Sequence, residues 1–217
     1  MRTLHSATRV VVVAMAMMLG GLTAAEAGPP LICRAFETGD AVLLPWGHGD
    51  GWNTPARGYD ARGLTADTQR LLTSEAPVLG RMENLRRATI YAARDQRVAA
   101  ELLTAVVLRA LTAARDGGDA LAWFDAGYLI ESYRQASDVY RWDMLSGIDR
   151  ASWTMRTARP DVDGYTFVLE ALRLPGSTPD MQFAASLMTQ GAAAAEHRRR
   201  AEAGARPGTL LAKNLER

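Results

Sequence analysis

A single cysteine, Cys33, in 217 residues excludes an intrachain disulfide framework. Three histidines leave little material for a zinc site, which needs three or four converging ligands, and no HExxH, CxxC or HxH spacing occurs. No metal or cofactor is expected. Charge of one sign is lacking as well, because 25 Lys+Arg stand against 24 Asp+Glu. A chain so balanced has no long-range field to draw in nucleic acid or anionic lipid, and nucleic-acid partners are not expected. Lysine is almost absent, with Lys213 the single example. Aromatics stand at 7%, and the composition as a whole excludes a collagen-like or low-complexity fibre.

Long hydrophobic runs are missing except near the start. Arg2 and Arg9 precede an apolar stretch from Val10 to Leu22, and Ala25-Glu26-Ala27 closes it with small residues at the cleavage positions. At about 1.5 Å per residue this stretch reaches roughly 20 Å, short of a hydrocarbon core of about 30 Å. Residues 1–27 are therefore expected to be a signal peptide, cut before Gly28. The mature chain is then exported, to the periplasm or beyond, with no membrane span. Ile32 before Cys33 argues against lipid attachment there.

What remains divides by composition. Residues 28–63 hold seven glycines and four prolines around Trp46, Trp52 and Tyr59, which predicts irregular backbone or a short strand pair pinned to the body by its aromatics. Residues 64–203 are rich in Ala, Leu, Arg and Glu, with no proline between Pro77 and Pro160, and predict an α-helical domain. Residues 204–217 are expected to be a flexible tail. Start signals stand at Ser74-Glu75-Ala76-Pro77, Asp95, Asp119, Ser137-Asp138, Asp163 and Thr178-Pro179, and Gly117-Gly118 reads as a stop. The last two helices are placed at 164–174 and 179–203.

Trp123, Ala126, Gly127 and Ile130, together with "EALRLPGSTPDMQFAAS" over 170–186, resemble tetratricopeptide repeats. That resemblance implies stacked helical hairpins that bind protein or peptide. The spacing is irregular: Gly127 and Ser186 are 59 positions apart, against a family period of about 34, which implies an insertion of about 25 residues near 138–161. The mature chain also resembles a set of uncharacterised exported bacterial proteins carrying "GPPLICRAFETGDAVLLPWG", "DAGYLIESYRQA" and "DGYTFVLEAL". That resemblance implies no activity.

Candidate chemistry is sparse. Cys33, His48 and Asp50 in the glycine-rich opening form the one thiol–imidazole set that a loop could bring together for nucleophilic catalysis, against a reading as packing and loop residues. Asp161, Asp163, Gly164 and Glu170 match part of a calcium loop, but Arg159 occupies its first position, and helix capping explains the same letters. Asp125 and Glu131, six apart, fall on different faces and are expected to meet solvent, as is His197 beside three arginines. Trp123, Tyr128, Tyr133, Tyr140 and Trp142, with Arg134 and Arg141, have the composition of a peptide- or sugar-binding groove; core packing fits the same spacing. The overall expectation is an exported all-α interaction module of unknown protein or peptide partner. The alternative is a secreted enzyme built on Cys33, His48 and Asp50.

Overall fold

The computed structural model describes residues 30–48, 52–141 and 161–217, with the side chains of residues 140 and 141 left aside. The expected signal peptide, Asp50, Trp142, Arg159 and most of the expected insertion lie outside the described residues. The protein is all-α. Its helices are α1 (Pro30–Cys33), α2 (Leu64–Leu71), α3 (Val78–Ala92), α4 (Gln96–Ala113), α5 (Ala120–Arg141), α6 (Gly164–Ala171), α7 (Pro179–Ser186), α8 (Gly191–Gly204) and α9 (Leu210–Leu215). Where irregular backbone or a short strand pair was expected, the described residues hold an isolated antiparallel bridge between Trp46 and Pro55.

Most of the boundary chemistry is local. The Asp95 carboxylate accepts the Arg97 and Val98 amides at the start of α4, Asp119 accepts Leu121 N at 2.9 Å before α5, and Asp163 accepts Tyr165 N at 3.1 Å before α6. Each satisfies amides that a helix start leaves open. Gly117, at φ 94°, ends the turn after α4 in the left-handed region that glycine enters without strain. Ser74 does not cap α3. That helix starts behind an extended Pro77, because the preceding turn is claimed by Arg81, whose guanidinium donates to Thr73 O and to Ala76 O.

Helix α3 is enclosed along nearly its whole length. All its residues but Arg87 are buried, including Arg81, Glu83, Asn84 and Arg86. Its apolar side chains join the core with α2, α4 and α5, while its polar ones hold the N-terminal segment, whose irregular backbone has few partners of its own. Asn84 accepts Leu44 N at 2.8 Å and donates to Val42 O at 3.0 Å. Arg86 donates to Ile32 O and Trp52 O, and Arg87 to Leu44 O. Tyr91 donates to Pro45 O and accepts Ala56 N. Trp46 lies beneath both guanidinium groups, at 5.1 and 5.3 Å, and meets Tyr91 edge-on. Burial alone pushes the Glu83 carboxyl up, but Arg86 and Arg87 outweigh it and hold the group below the usual carboxylate range.

The C-terminal region differs from expectation. The helix placed at 179–203 is two helices, broken at residues 187–190 and restarted at Gly191, whose φ of 63° interrupts the helical path. Residues 204–217 are not a loose tail. Helix α9 buries Leu211 and Asn214, and Asn214 bridges to the N-terminal segment, donating to Glu37 O at 2.9 Å and accepting Glu37 N at 3.0 Å. The irregular backbone at Glu37 thereby gains side-chain partners from α9.

Candidate binding surfaces

Cys33 ends α1, half-buried and packed against the core. His48 is exposed and lines a cavity whose described walls do not include Cys33. Asp50 lies outside the described residues. Nothing described therefore brings thiol and imidazole into one cavity.

The aromatic candidates fall into two environments. Tyr128 and Tyr133 are fully buried; Tyr133 donates to Ala99 O at 3.0 Å, and burial pushes both phenols up. Neither offers surface to a ligand, so they do not line a groove. Trp123 is partly buried and tilts against Phe167 at 5.0 Å across the α5–α6 seam. Arg134 is paired with Glu131 at 2.8 Å and Asp163 at 3.1 Å. The side chains of Tyr140, Arg141 and Trp142 are not among those described.

Two carboxylates expected in solvent are buried instead. Asp125 is fully enclosed and meets Arg81 at 2.5 Å and Arg109 at 3.4 Å through Oδ2, while its Oδ1 has no hydrogen-bond partner. Burial pushes its carboxyl up to about 6 against the pull of Arg81 and Arg109. Glu131 is buried too, raised by desolvation and lowered in part by Arg134. Face arithmetic on α5 missed this because α5 is covered on opposite sides, by α3 and α4 and by α6. His197 is also buried, with Tyr165 Oη 2.7 Å from Nε2 and Gln182 Oε1 2.6 Å from Nδ1. Among the described residues no group of three His, Cys, Asp or Glu is placed to hold a metal. Asp163 is occupied by its cap and by Arg134, and Glu170 by Arg173 at 3.1 Å.

The surface feature that sequence reasoning missed is an apolar groove between α4, α5 and α6. Leu103, Val107 and Leu108 supply one wall, Ile130 the floor, and Val162 and Phe167 the other wall, around a volume of about 300 Å³. Leu108 is 56% exposed and Val162 50% exposed, and Leu111, 46% exposed, stands one helical step beyond Leu108. The signal was present in the sequence: α4 has apolar residues at 103, 107, 108 and 111 in addition to the buried stripe at 98, 102, 106 and 110. One stripe suffices for packing. Among the described residues no helix is long and apolar enough to cross a membrane. Comparison with known proteins finds no matching family model, no matching curated protein and no matching solved structure.

Proposed function

We propose that this chain is an exported interaction module that binds an apolar helix of a partner protein in the groove between α4 and α6. The observation that carries the reading is the second apolar stripe of α4, which leaves Leu108 more than half exposed beside Val162. Leaving large apolar side chains in water forgoes roughly 1.5–3 kcal/mol each relative to burial, so a cluster of them marks a surface that is covered in use. The side chains around the groove are aliphatic or aromatic apart from Thr104. Such walls offer a partner shape and area and few hydrogen bonds, which suits a helix, since its backbone is already satisfied. Residues 103, 107 and 108 line the groove at the spacing of a helix face, and the exposed Leu111 continues that face beyond it.

Site-specific photo-crosslinking in the cell envelope tests this. A crosslinker at Leu108 is expected to give one discrete adduct with a different protein, lost when Val107→Glu is added, while a crosslinker at the exposed Arg199 gives none. A self-adduct, or the same adduct from both positions, overturns the reading.

A further inference from the structure

On the opposite side of α3 from its start, where the helix ends near Arg94, a second cavity of about 690 Å³ opens against the N-terminal segment. This is within the range of small-molecule sites. Its walls carry three basic side chains, His48, Arg57 and Arg94, and among the described lining residues there is no acidic one. In a chain whose charges balance, the Arg57 and Arg94 guanidinium groups place two positive charges on one cavity. Arg62, Arg70, Arg81, Arg86, Arg87, Arg109, Arg134 and Arg173 all have carboxylate partners. No carboxylate lies within ion-pair distance of Arg57 or Arg94 among the described residues. Asn53, on the same wall, holds an amide whose donor and acceptor are both without a protein partner.

The frame around these groups is held in place. Trp46 and Pro55 form the antiparallel bridge, and Gly47 N donates to Thr54 O at 2.8 Å. Tyr91 ties the two arms of this loop to α3 by donating to Pro45 O and accepting Ala56 N. The wall is thus fixed before any ligand arrives, which lowers the ordering cost of binding. Trp46, Pro55 and Ala56 supply the apolar part of its lining.

We propose that this cavity binds a small oxyanion, a carboxylate or a phosphate carried on an apolar body, with Arg57 and Arg94 gripping the oxyanion and the Trp46–Pro55 wall receiving the body. Guanidinium groups present forked donors that match the two oxygens of a carboxylate or phosphate, and such charge-assisted bonds are about twice as strong as neutral ones. The site is separate from the α4–α6 groove and stands or falls independently of it.

Thermal unfolding of the purified protein with benzoate, phenyl phosphate, inorganic phosphate and neutral benzamide is the test. Benzoate or phenyl phosphate at about 10 mM is expected to raise the midpoint by about 3–6 °C, and whichever raises it more names the oxyanion. Arg57→Gln with Arg94→Gln, both at exposed positions, is expected to keep the unliganded midpoint and lose the shift. The proposal is overturned if neither aromatic anion shifts the midpoint, or if the shift survives in the double variant. An equal effect from benzamide overturns it also, since the charge is then unused, and an equal effect from inorganic phosphate overturns it because the apolar body is then unused.

Discussion

Gly127 in the middle of α5 and Gly164 at the start of α6 occupy each other's side-chain space. A Cβ placed on Gly127 falls 2.6 Å from Gly164 O and 2.8 Å from Phe167 Cβ, and one placed on Gly164 collides with Gly127 O. The two helices cross in backbone contact, which explains a glycine that otherwise costs a helix interior about 1 kcal/mol relative to alanine.

Gly127→Ala is therefore expected to destabilise despite alanine's better helix propensity, by about 1–3 kcal/mol through overpacking, and Gly127→Leu by more. Gly63→Ala is the control, since a Cβ there meets only Asp67 Oδ2 at 3.6 Å. Urea melts in which Gly127→Ala matches or exceeds the parent would show that α6 does not approach this closely.

Removing one member of the Arg81–Asp125 pair strands a fully buried charge. Asp125→Leu alone is expected to cost about 3–5 kcal/mol. Combining it with Arg81→Met should recover part of that loss, though not all, because Arg81 also holds Thr73 O and Ala76 O in place. A double-mutant cycle by chemical denaturation measures the coupling, and strictly additive losses would mean that the two groups act independently.

His197 gives the fold a pH dependence of known sign. Burial, then Arg200, holds its imidazole below the ordinary value, with Glu196 opposing. The groups facing it are Tyr165 from α6 and Gln182 from α7, neither of them charged. With Gln182 Oε1 accepting from Nδ1, Nε2 accepts the Tyr165 hydroxyl, a pattern that suits the neutral ring. An unfolded histidine takes up its proton near about pH 6.5, the folded one only at lower pH. In that window the unfolded chain binds more protons, so stability falls as pH drops from about 6.5 to the folded value and then levels off. His197→Gln is expected to lose less stability than the parent between pH 7 and pH 5; equal losses in the two proteins would show that His197 does not titrate against the fold.

Asn214 closes the molecule by pairing with both backbone groups of Glu37. Asn214→Ala removes the side-chain partner of that N–H and C=O, and because Glu37 is exposed and water can take over part of the bonding, the cost is about 0.5–1.5 kcal/mol. The same change should speed proteolytic cutting at 34–40, because Arg34 and Arg217 hold this segment through Asn214 O and Glu37. Unchanged cutting would mean that α9 does not secure the N-terminal segment.

The all-α class and most helix starts were legible because their causes are local: a carboxylate at Asp95, Asp119 or Asp163 caps amides two or three residues away, whatever the rest of the chain does. A glycine inside a helix carries a local cost that calls for a reason, but the reason at Gly127, contact with Gly164, came only from the tertiary structure. The groove on α4 was half legible, as a surplus of apolar residues with no way to tell which stripe stays uncovered. Burial of charge was decided only by the tertiary structure. Arg81, Glu83, Arg86 and Asp125 look like solvent residues one at a time, and each became a core residue because another segment arrived with the opposite charge or an unpaired backbone group, while His197 was enclosed by the Tyr165 hydroxyl and the Gln182 amide. Periodicity records which residues share a face of one helix, whereas the number of faces that are covered depends on segments far away in the sequence: the wrap of residues 30–56 over α3 and the docking of α9 on Glu37.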